Sequence, residues 1–455
     1  MRVPPRKCSA PVNGTNQTSL AFVDPQRLGF RPNEPRRFSK DDIARACDVL
    51  RRFPPGLPLP IVVTEEYGVL VGHLLVHAAQ KLGLTAITVI VHAGADPIDQ
   101  NRYSVAITQL LTKGSWDPAD LETWVKQFEQ QIEDFSHLDL GFGNGELDRI
   151  LGFSDRLTAG GAEADAGPQM HAVAVSRPGM VWHLGANRLM VGDATKTEHF
   201  AVLMAKLQAA MVITDPPYGC PIDGFVSKKG LHRDFVEAAG EKAPEELKAF
   251  FLAFLRNLAG VMRPGALAYL FIDWRSLSLL LDAGEAVFGS LVQLCCWTKD
   301  RGGMGGLYRS QHELVLVFRA PGAKHINNVE LGRHGRNRTN VWDYPSAASS
   351  RSGREGDMLK RHPTPKSVEM IADAILDCTR HGEIVVDCFI GSGTTIIAAE
   401  RTGRVCLGME LDPLYADVAV RRWQAWTGLA ATDDETGRTF DALAAEGEAG
   451  EGDRD

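Results

Sequence analysis

Four short apolar runs in the second half of this chain each end on a carboxylate. Residues 211–214 lead into Asp215, 267–272 into Asp273, 384–386 into Asp387 and 405–409 into Glu410. The runs are too short for buried helices, and stretches of helical spacing (245–258, 394–401) separate them. Alternation of this kind predicts an α/β fold with a doubly wound parallel sheet. Ligands of such sheets bind at the carboxyl ends of the strands, so one edge should carry a row of acids.

A chain of 455 residues is long for a single domain. Residues 156–179 are rich in Gly and Ala, contain Gly160-Gly161 and Gly167-Pro168, and lack a hydrophobic period, so they read as a linker. Before it, residues 1–155 read as a small α+β domain. Strands are expected at 59–63, 69–71 and 87–91, a helix at 73–82 stopped by Gly83, and another helix starting at Asp117. After it, residues 180–430 form the sheet domain, and 431–455 read as a disordered acidic tail. That tail holds Asp433, Asp434, Glu435, Glu446, Glu448, Glu451, Asp453 and Asp455, and so accounts for much of the net charge of −8. The charge argues only mildly against a nucleic-acid partner, because local basic surface outweighs a screened total.

No apolar stretch is long enough to span a bilayer, and residues 1–19 lack a signal-peptide core, which leads to the expectation of a cytoplasmic protein. The eight cysteines contain no Cys-x-x-Cys pair, and neither a metal site nor a disulfide is expected.

Two motifs carry chemistry. In Asp215-Pro216-Pro217-Tyr218, two prolines end a buried strand and remove two amide donors. The Pro216 carbonyl and the Asp215 carboxylate remain as acceptors for the two hydrogens of a planar amine. Their pull draws the nitrogen lone pair out of conjugation and toward an electrophile, while Tyr218 offers a face on which a base can stack. In Asp387-Cys-Phe389-Ile-Gly391-Ser-Gly393-Thr394-Thr395, two glycines permit a tight turn between a strand and a helix. Glu410, at the end of the next strand, is placed for ribose hydroxyls. A dinucleotide fingerprint would need glycine at Ile396, and a phosphate-binding loop would need lysine after Gly393. Neither is present, so the motif fits a nucleoside without phosphates.

Together and in this order, the two motifs resemble the β class of amino-group DNA methyltransferases. The likeness runs from about Trp182 to Gly428. It includes Trp182 to Gly185, Gly192-Asp193-Ala194, Gly302 to Gly306, Tyr308 to Glu313, Asn340 to Pro345 and His362-Pro-Thr364-Pro-Lys366. It implies a Rossmann-like methyltransferase sheet, S-adenosylmethionine as cofactor and double-stranded DNA as partner. Methyl transfer to N6 of adenine is expected, with N4 of cytosine as the alternative. A restriction-modification setting and a homodimer are family-level expectations.

Carried over by residue, the resemblance places Asp215, Pro216, Pro217 and Tyr218 at the reacting amine. Asp387, Phe389, Gly391, Gly393, Thr394 and Thr395 surround the methionine part of the cofactor. Glu410 and Asp412 face the ribose, Asp193 and Ala194 the adenine, and His362, Thr364 and Lys366 close the pocket. The chain departs from the family at Cys388 and Ser367, where proline is usual; neither change removes a side chain needed for chemistry. DNA reading is expected from an insert at about 320–361, with Arg333, Arg336, Arg338, Arg351 and Arg354, helped by Arg309.

The N-terminal segments Arg37 to Asp41, Gly72-His73 and Ala78 to Gly83 resemble a ParB/sulfiredoxin-like domain. Leu74, Leu75 and Val76 stand where that family has an arginine. This departure argues against nucleotide handling and for a docking role. Two further readings differ at the motif residues. A protein or RNA amine methyltransferase would carry Asn in place of Asp215 and place the glycine loop first. An inactive DNA-binding adaptor would not need an intact amine motif.

Overall fold

The computed structural model describes residues 18–31, 35–52, 59–93, 96–111, 116–132, 140–142, 146–151, 173–218, 243–300, 302, 307–329, 338–345 and 366–451. The chain divides into two compact units, Met1–Gly143 and Asn144–Asp455.

In the first unit, β1 (Thr18–Val23), β2 (Val62–Val63), β3 (Val69–Val71) and β4 (Ile87–His92) form a sheet of order β1-β4-β2-β3. Helix α1 (Lys40–Arg52) lies against α2 (His73–Leu82) through Ala46, Cys47 and Ala78, small side chains that let the two helices approach closely. Gly83 ends α2 in the left-handed conformation, with its amide returning to the last turn, as the sequence suggests. Helices α3 (Pro97–Leu111) and α4 (Pro118–Gln131) follow, and Asp117 caps α4 by accepting from the amides of Ala119 and Asp120.

The second unit opens with a short helix, α5 (Glu146–Ile150). Its sheet contains β5 (Val181–Leu184), β6 (Asn187–Val191), β7 (Ala209–Thr214), β8 (Met262–Ile272), β9 (Gln293–Thr298), β10 (His312–Arg319), β11 (Val341–Asp343), β12 (Ile384–Asp387), β13 (Val405–Glu410) and β14 (Thr432–Asp433). The ten strands lie in the order β11-β9-β10-β8-β7-β12-β13-β6-β5-β14. The five central strands, β8, β7, β12, β13 and β6, are mutually parallel, and β10 runs antiparallel beside β8.

Side-chain alternation along these strands feeds two cores, one on each face. Met211, Ile213, Leu267, Tyr269, Phe271, Val385 and Cys406 face one side. There they meet α9 (Val368–Cys378), α10 (Thr394–Thr402) and α11 (Pro413–Thr427). Val212, Ala268, Leu270, Val386 and Leu407 face the other, against α6 (Thr197–Met204), α7 (Pro244–Val261) and α8 (Leu277–Phe288). The result is the α/β/α layering expected of a doubly wound sheet. From β7 the chain moves outward to β8, whereas from β12 it moves the other way to β13. The crevice between β7 and β12 is therefore the topological switch point.

Two expected boundaries are corrected. Residues 146–151 belong to the sheet unit and not to the N-terminal one. The Asp148 carboxylate takes the fully buried Arg404 guanidinium in a two-pronged pair at 2.6 and 2.7 Å, and Leu147 and Leu151 are buried. The acidic tail is also folded as far as it is described. β14 pairs with β5, and α12 (Phe440–Glu451) is anchored by Phe440, which is fully buried edge-on against Trp182. One aromatic anchor, with Arg421 over its ring, outweighs the disorder that the acidic composition suggests.

Candidate active site at the carboxyl edge of the sheet

The five parallel strands all leave the sheet at the same edge, and each is followed or ended by an acid. Across the edge these are Asp273 (β8), Asp215 (β7), Asp387 (β12), Glu410 (β13) and Asp193 (β6). Four of them were legible as strand ends. Asp193 joins the row because β6 pairs with β13 in a register that sets Val191 beside Glu410.

Asp387, beside the switch point, is buried and fully engaged. Its Oδ1 accepts from the Thr214 hydroxyl at 2.7 Å and the Phe389 amide at 3.1 Å, and its Oδ2 accepts from the Thr395 hydroxyl at 2.6 Å. Burial pushes its pKa up to about 6 against those donors. Glu410 accepts the Gly391 amide at 2.8 Å and the Asp412 amide at 3.0 Å, and burial pushes it up to about 7. These contacts tie the glycine turn to the strand ends. Gly393 has φ +81° and heads α10, and a Cβ there would lie 2.9 Å from that of Ala419, so only glycine fits.

Several predicted cofactor residues thus shape the pocket through the protein itself. The Thr395 hydroxyl is given to Asp387, and the Thr394 hydroxyl accepts from Arg422 at 3.0 Å. Asp412 caps α11 through the Leu414 amide, and Phe389 packs its ring on Phe250 and Phe254. Asp193 accepts from the Thr195 amide and hydroxyl, and Ala194 is buried behind it. Cys388, at one of the unusual positions, is a buried thiol 3.8 Å from the Thr214 hydroxyl.

The amine motif sits next to this turn. Pro216 is buried, while Pro217 and Tyr218 are partly open. The Tyr218 carbonyl accepts from the Ser276 hydroxyl at 2.8 Å, which links the motif to the loop after β8. One oxygen of Asp215, Oδ2, accepts from the Lys366 ammonium at 2.5 Å. The other, Oδ1, is buried and has no hydrogen-bond partner among the described residues.

Lys366 therefore meets the amine-motif acid directly. It also lies 3.0 Å from Glu313, whose other oxygen takes Lys299 at 2.5 Å. Glu313 and Lys299 were not singled out from sequence. A glutamate opening an apolar strand reads as a solvated strand end, and only the fold brings it beside β7.

Of the predicted DNA contacts, Arg309 is exposed. Arg338 is corrected: it is turned inward, with its Nη1 3.0 Å from Asp373 and its Nε 2.7 Å from Asp377, and it stacks over Trp342. Residues 338–345 carry an edge strand of the sheet, and Asn328 is buried against the end of α9, so these parts of the 320–361 segment are body rather than insert. His362, Thr364, Arg333, Arg336, Arg351 and Arg354 lie outside the described residues. Among the described residues no group of acids, histidines and cysteines could hold a metal ion, and no helix is long and apolar enough to cross a membrane.

The raised acids give the unliganded protein a defined pH response. A carboxylate whose folded pKa lies above its unfolded one binds more protons when folded, so stability falls as pH rises between the two values. For Glu410 that window runs from 4.5 to about 7, and for Asp387 from 3.8 to about 6. The unfolding temperature is expected to drop as pH rises from about 4 to about 7, the span of both windows, and to drop less in Glu410→Gln. An unchanged slope in that variant would contradict the burial assigned to Glu410.

The open doubly wound sheet brings the glycine turn and the Asp215 carboxylate together at its switch point, where α/β folds of this class bind ligands. Residues 209–421 match the N6/N4 methyltransferase family model, described as DNA methylase, which supports an amino-methyltransferase.

Among curated relatives, the type II methyltransferase M.HpaI of Haemophilus parainfluenzae is 24% identical over 244 residues, covering 50% of this chain and 72% of its own length. The type II methyltransferase M2.DpnII of Streptococcus pneumoniae is 24% identical over 225 residues, covering 47% and 82%. Among solved structures, the M1.HpyAVI–SAM complex is 21% identical, covers 51% of this chain and 97% of its own, and has a TM-score of 0.38. A C-terminally truncated chromosome-partitioning protein ParB from Caulobacter crescentus, solved with CTP-γ-S, is 17% identical over 31% of this chain and 83% of its own, with a TM-score of 0.26.

Proposed function

We propose that this protein transfers a methyl group from S-adenosylmethionine to the exocyclic amine of a base in double-stranded DNA, with N6 of adenine as the target. The observation that carries the reading is Asp215: an acid at the switch-point edge, beside the Pro216 carbonyl, with one oxygen held and one buried oxygen unpartnered among the described residues. An unmet buried acceptor is costly, and an amine N–H is the group that would meet it.

The pocket fits the cofactor on its donor set. Asp387 and Glu410 are raised by burial with no cation on either carboxylate among the described contacts, which suits a positively charged nucleoside better than a phosphate. Glu410 would hold the ribose and Asp193 the adenine. The amides at the head of α10 would take the methionine carboxylate. When bound, S-adenosylmethionine supplies an electrophilic methyl on a sulfonium. The chain's own part is to hold the amine: Asp215 Oδ1 and the Pro216 carbonyl accept its two hydrogens, and Tyr218 supports the base. Asp215 takes up the charge that grows on nitrogen, as a preset acceptor. The base must leave the duplex, which costs a few kcal/mol that stacking on Tyr218 offsets. Arg309, and Arg333, Arg336, Arg351 and Arg354 outside the described residues, would contact phosphates or guanine.

Adenine is preferred because Asp, in the first position of the amine motif, accompanies N6 methylation in the family resembled. The first unit is read as a ParB-like docking domain. The test is nucleoside analysis, with modified positions mapped by single-molecule sequencing, of unmethylated DNA after incubation with the protein and cofactor. N6-methyladenine at one short motif is expected. N4-methylcytosine would keep the mechanism and overturn the choice of base, and neither product would remove the reading.

A further inference from the structure

Lys299, Glu313, Lys366 and Asp215 form a continuous chain of alternating charges that ends at the amine site. The links are 2.5 Å from Lys299 to Glu313, 3.0 Å from Glu313 to Lys366 and 2.5 Å from Lys366 to Asp215. Its centre is nearly closed to water: the Lys366 side chain is 8% exposed and that of Glu313 10%, while Lys299 and Asp215 at the ends are 22% and 23% exposed. It is also anchored on the sheet. Glu313 stands opposite Trp297 in the β9–β10 ladder, and Lys299 is tied to Gln311 by exchanged backbone and side-chain hydrogen bonds. The Lys366 ammonium lies over the rings of Phe271 at 5.1 Å and Trp297 at 5.6 Å, so its stem and head are both confined.

Resting on the reading above, we infer that Lys366 is a positioning residue for methyl transfer: gripped by Glu313, it holds Asp215 by Oδ2 as a fixed anion and leaves Oδ1 for the target amine. This differs from a cofactor-contacting lysine. The amine needs an ionised acceptor, yet burial raises Asp215 and the neighbouring Glu313 charge raises it further. Lys366 is the largest influence in the opposite direction. Glu313 itself, despite its burial, is drawn down to about 2 by Lys366 and Lys299, so it stays charged and keeps Lys366 a cation. A free carboxylate could also rotate and offer its oxygens interchangeably. Pinned through one of them, it presents a single acceptor beside Pro216, the kind of preorganisation that transition-state electrostatics require.

The experiment compares full-length wild type, Lys366→Met, Lys366→Arg and Asp215→Ala. Steady-state methylation of DNA is followed across pH, S-adenosylmethionine binding by calorimetry, and Asp215 protonation by isotope-edited infrared titration. Lys366→Met is expected to lower kcat roughly ten- to hundredfold at neutral pH, the scale of one lost charged hydrogen bond. Its cofactor affinity should stay unchanged, the acid limb of its rate profile should move to higher pH, and Asp215 should titrate higher. Lys366→Arg should restore the limb.

Wild-type kcat and an unmoved limb in Lys366→Met would overturn the inference, as would a parallel loss of cofactor binding, which would make Lys366 a cofactor contact. If Lys366→Met does not fold, the Lys366→Arg profile decides: a limb at the wild-type position supports the inference and a displaced limb overturns it. If wild type methylates no DNA, the proposed function falls. The infrared titration, which needs no turnover, then still decides whether Lys366 holds Asp215 ionised.

Discussion

Asp215→Ala is expected to lower DNA methylation by about a hundred- to a thousandfold or more, the cost of removing one preset acceptor from a charge-developing centre. Binding of S-adenosylmethionine should survive, because the glycine turn and Glu410 are held by contacts that do not involve Asp215: Gly391 to Glu410, Asp412 to Glu410, and Thr214 and Thr395 to Asp387. The variant has a second consequence. Removing the carboxylate leaves Lys366 with Glu313 as its remaining ion-pair partner among the described residues, and Glu313 is already shared with Lys299. Stability should therefore fall as well, since two ammonium groups then share the single Glu313 carboxylate. Methylation assays and calorimetry on the same preparation separate the two effects. Loss of cofactor binding in Asp215→Ala would place the residue in the cofactor pocket and not at the amine.

The largest effect on stability is expected at Asp148. Its carboxylate meets Arg404, whose side chain is fully buried and whose other hydrogen bonds go to Thr379 and to the Thr402 carbonyl, all neutral groups. Asp148→Ala would strand a guanidinium in the interior, which costs about 3–5 kcal/mol when one partner of a buried pair is removed. The lost amount is a large fraction of the stability of an ordinary domain. Chemical denaturation should show a midpoint shift of that size in the sheet unit, and Asp148→Asn, which keeps the hydrogen-bonding shape without the charge, should lose less. A shift below about 1 kcal/mol, the range of exposed pairs, would mean that α5 is not integral to the unit. The same contact predicts that a fragment beginning at residue 156 is less stable than one beginning at 144.

Asp148 also marks where sequence reasoning stops. The strands that carry the site were legible because each is a run of apolar residues on both faces, ending where a carboxylate begins. Gly391, Gly393 and the two prolines were legible because backbone geometry dictates them. The boundary near residue 143 was not, since a helix as short as Glu146–Ile150 has too few turns to show a period, and its partner Arg404 is 256 residues away. The tail misled through composition: acidic residues dominate it, and the single buried ring of Phe440 carries no periodic signal. Arg338 misled in the same way, because a basic residue among Gly, Ser and Asn reads as a nucleic-acid contact until Asp373 and Asp377 of α9 are placed beside it. At the site, Lys366 was visible in the motif but its partner was not. Glu313 and Asp215 lie on strands separated by β8, and only the loops above the sheet edge let their side chains share one ammonium.

The central claim is that the acid row and the glycine turn serve methyl transfer to DNA. It is tested most directly by incubating the full-length protein with S-adenosylmethionine labelled in its methyl group and unmethylated duplex DNA, with Asp215→Ala in parallel. Label is expected in the DNA with wild type, and near-background label with the variant. Tight cofactor binding without transfer to DNA in wild type, or equal transfer by both proteins, would contradict it.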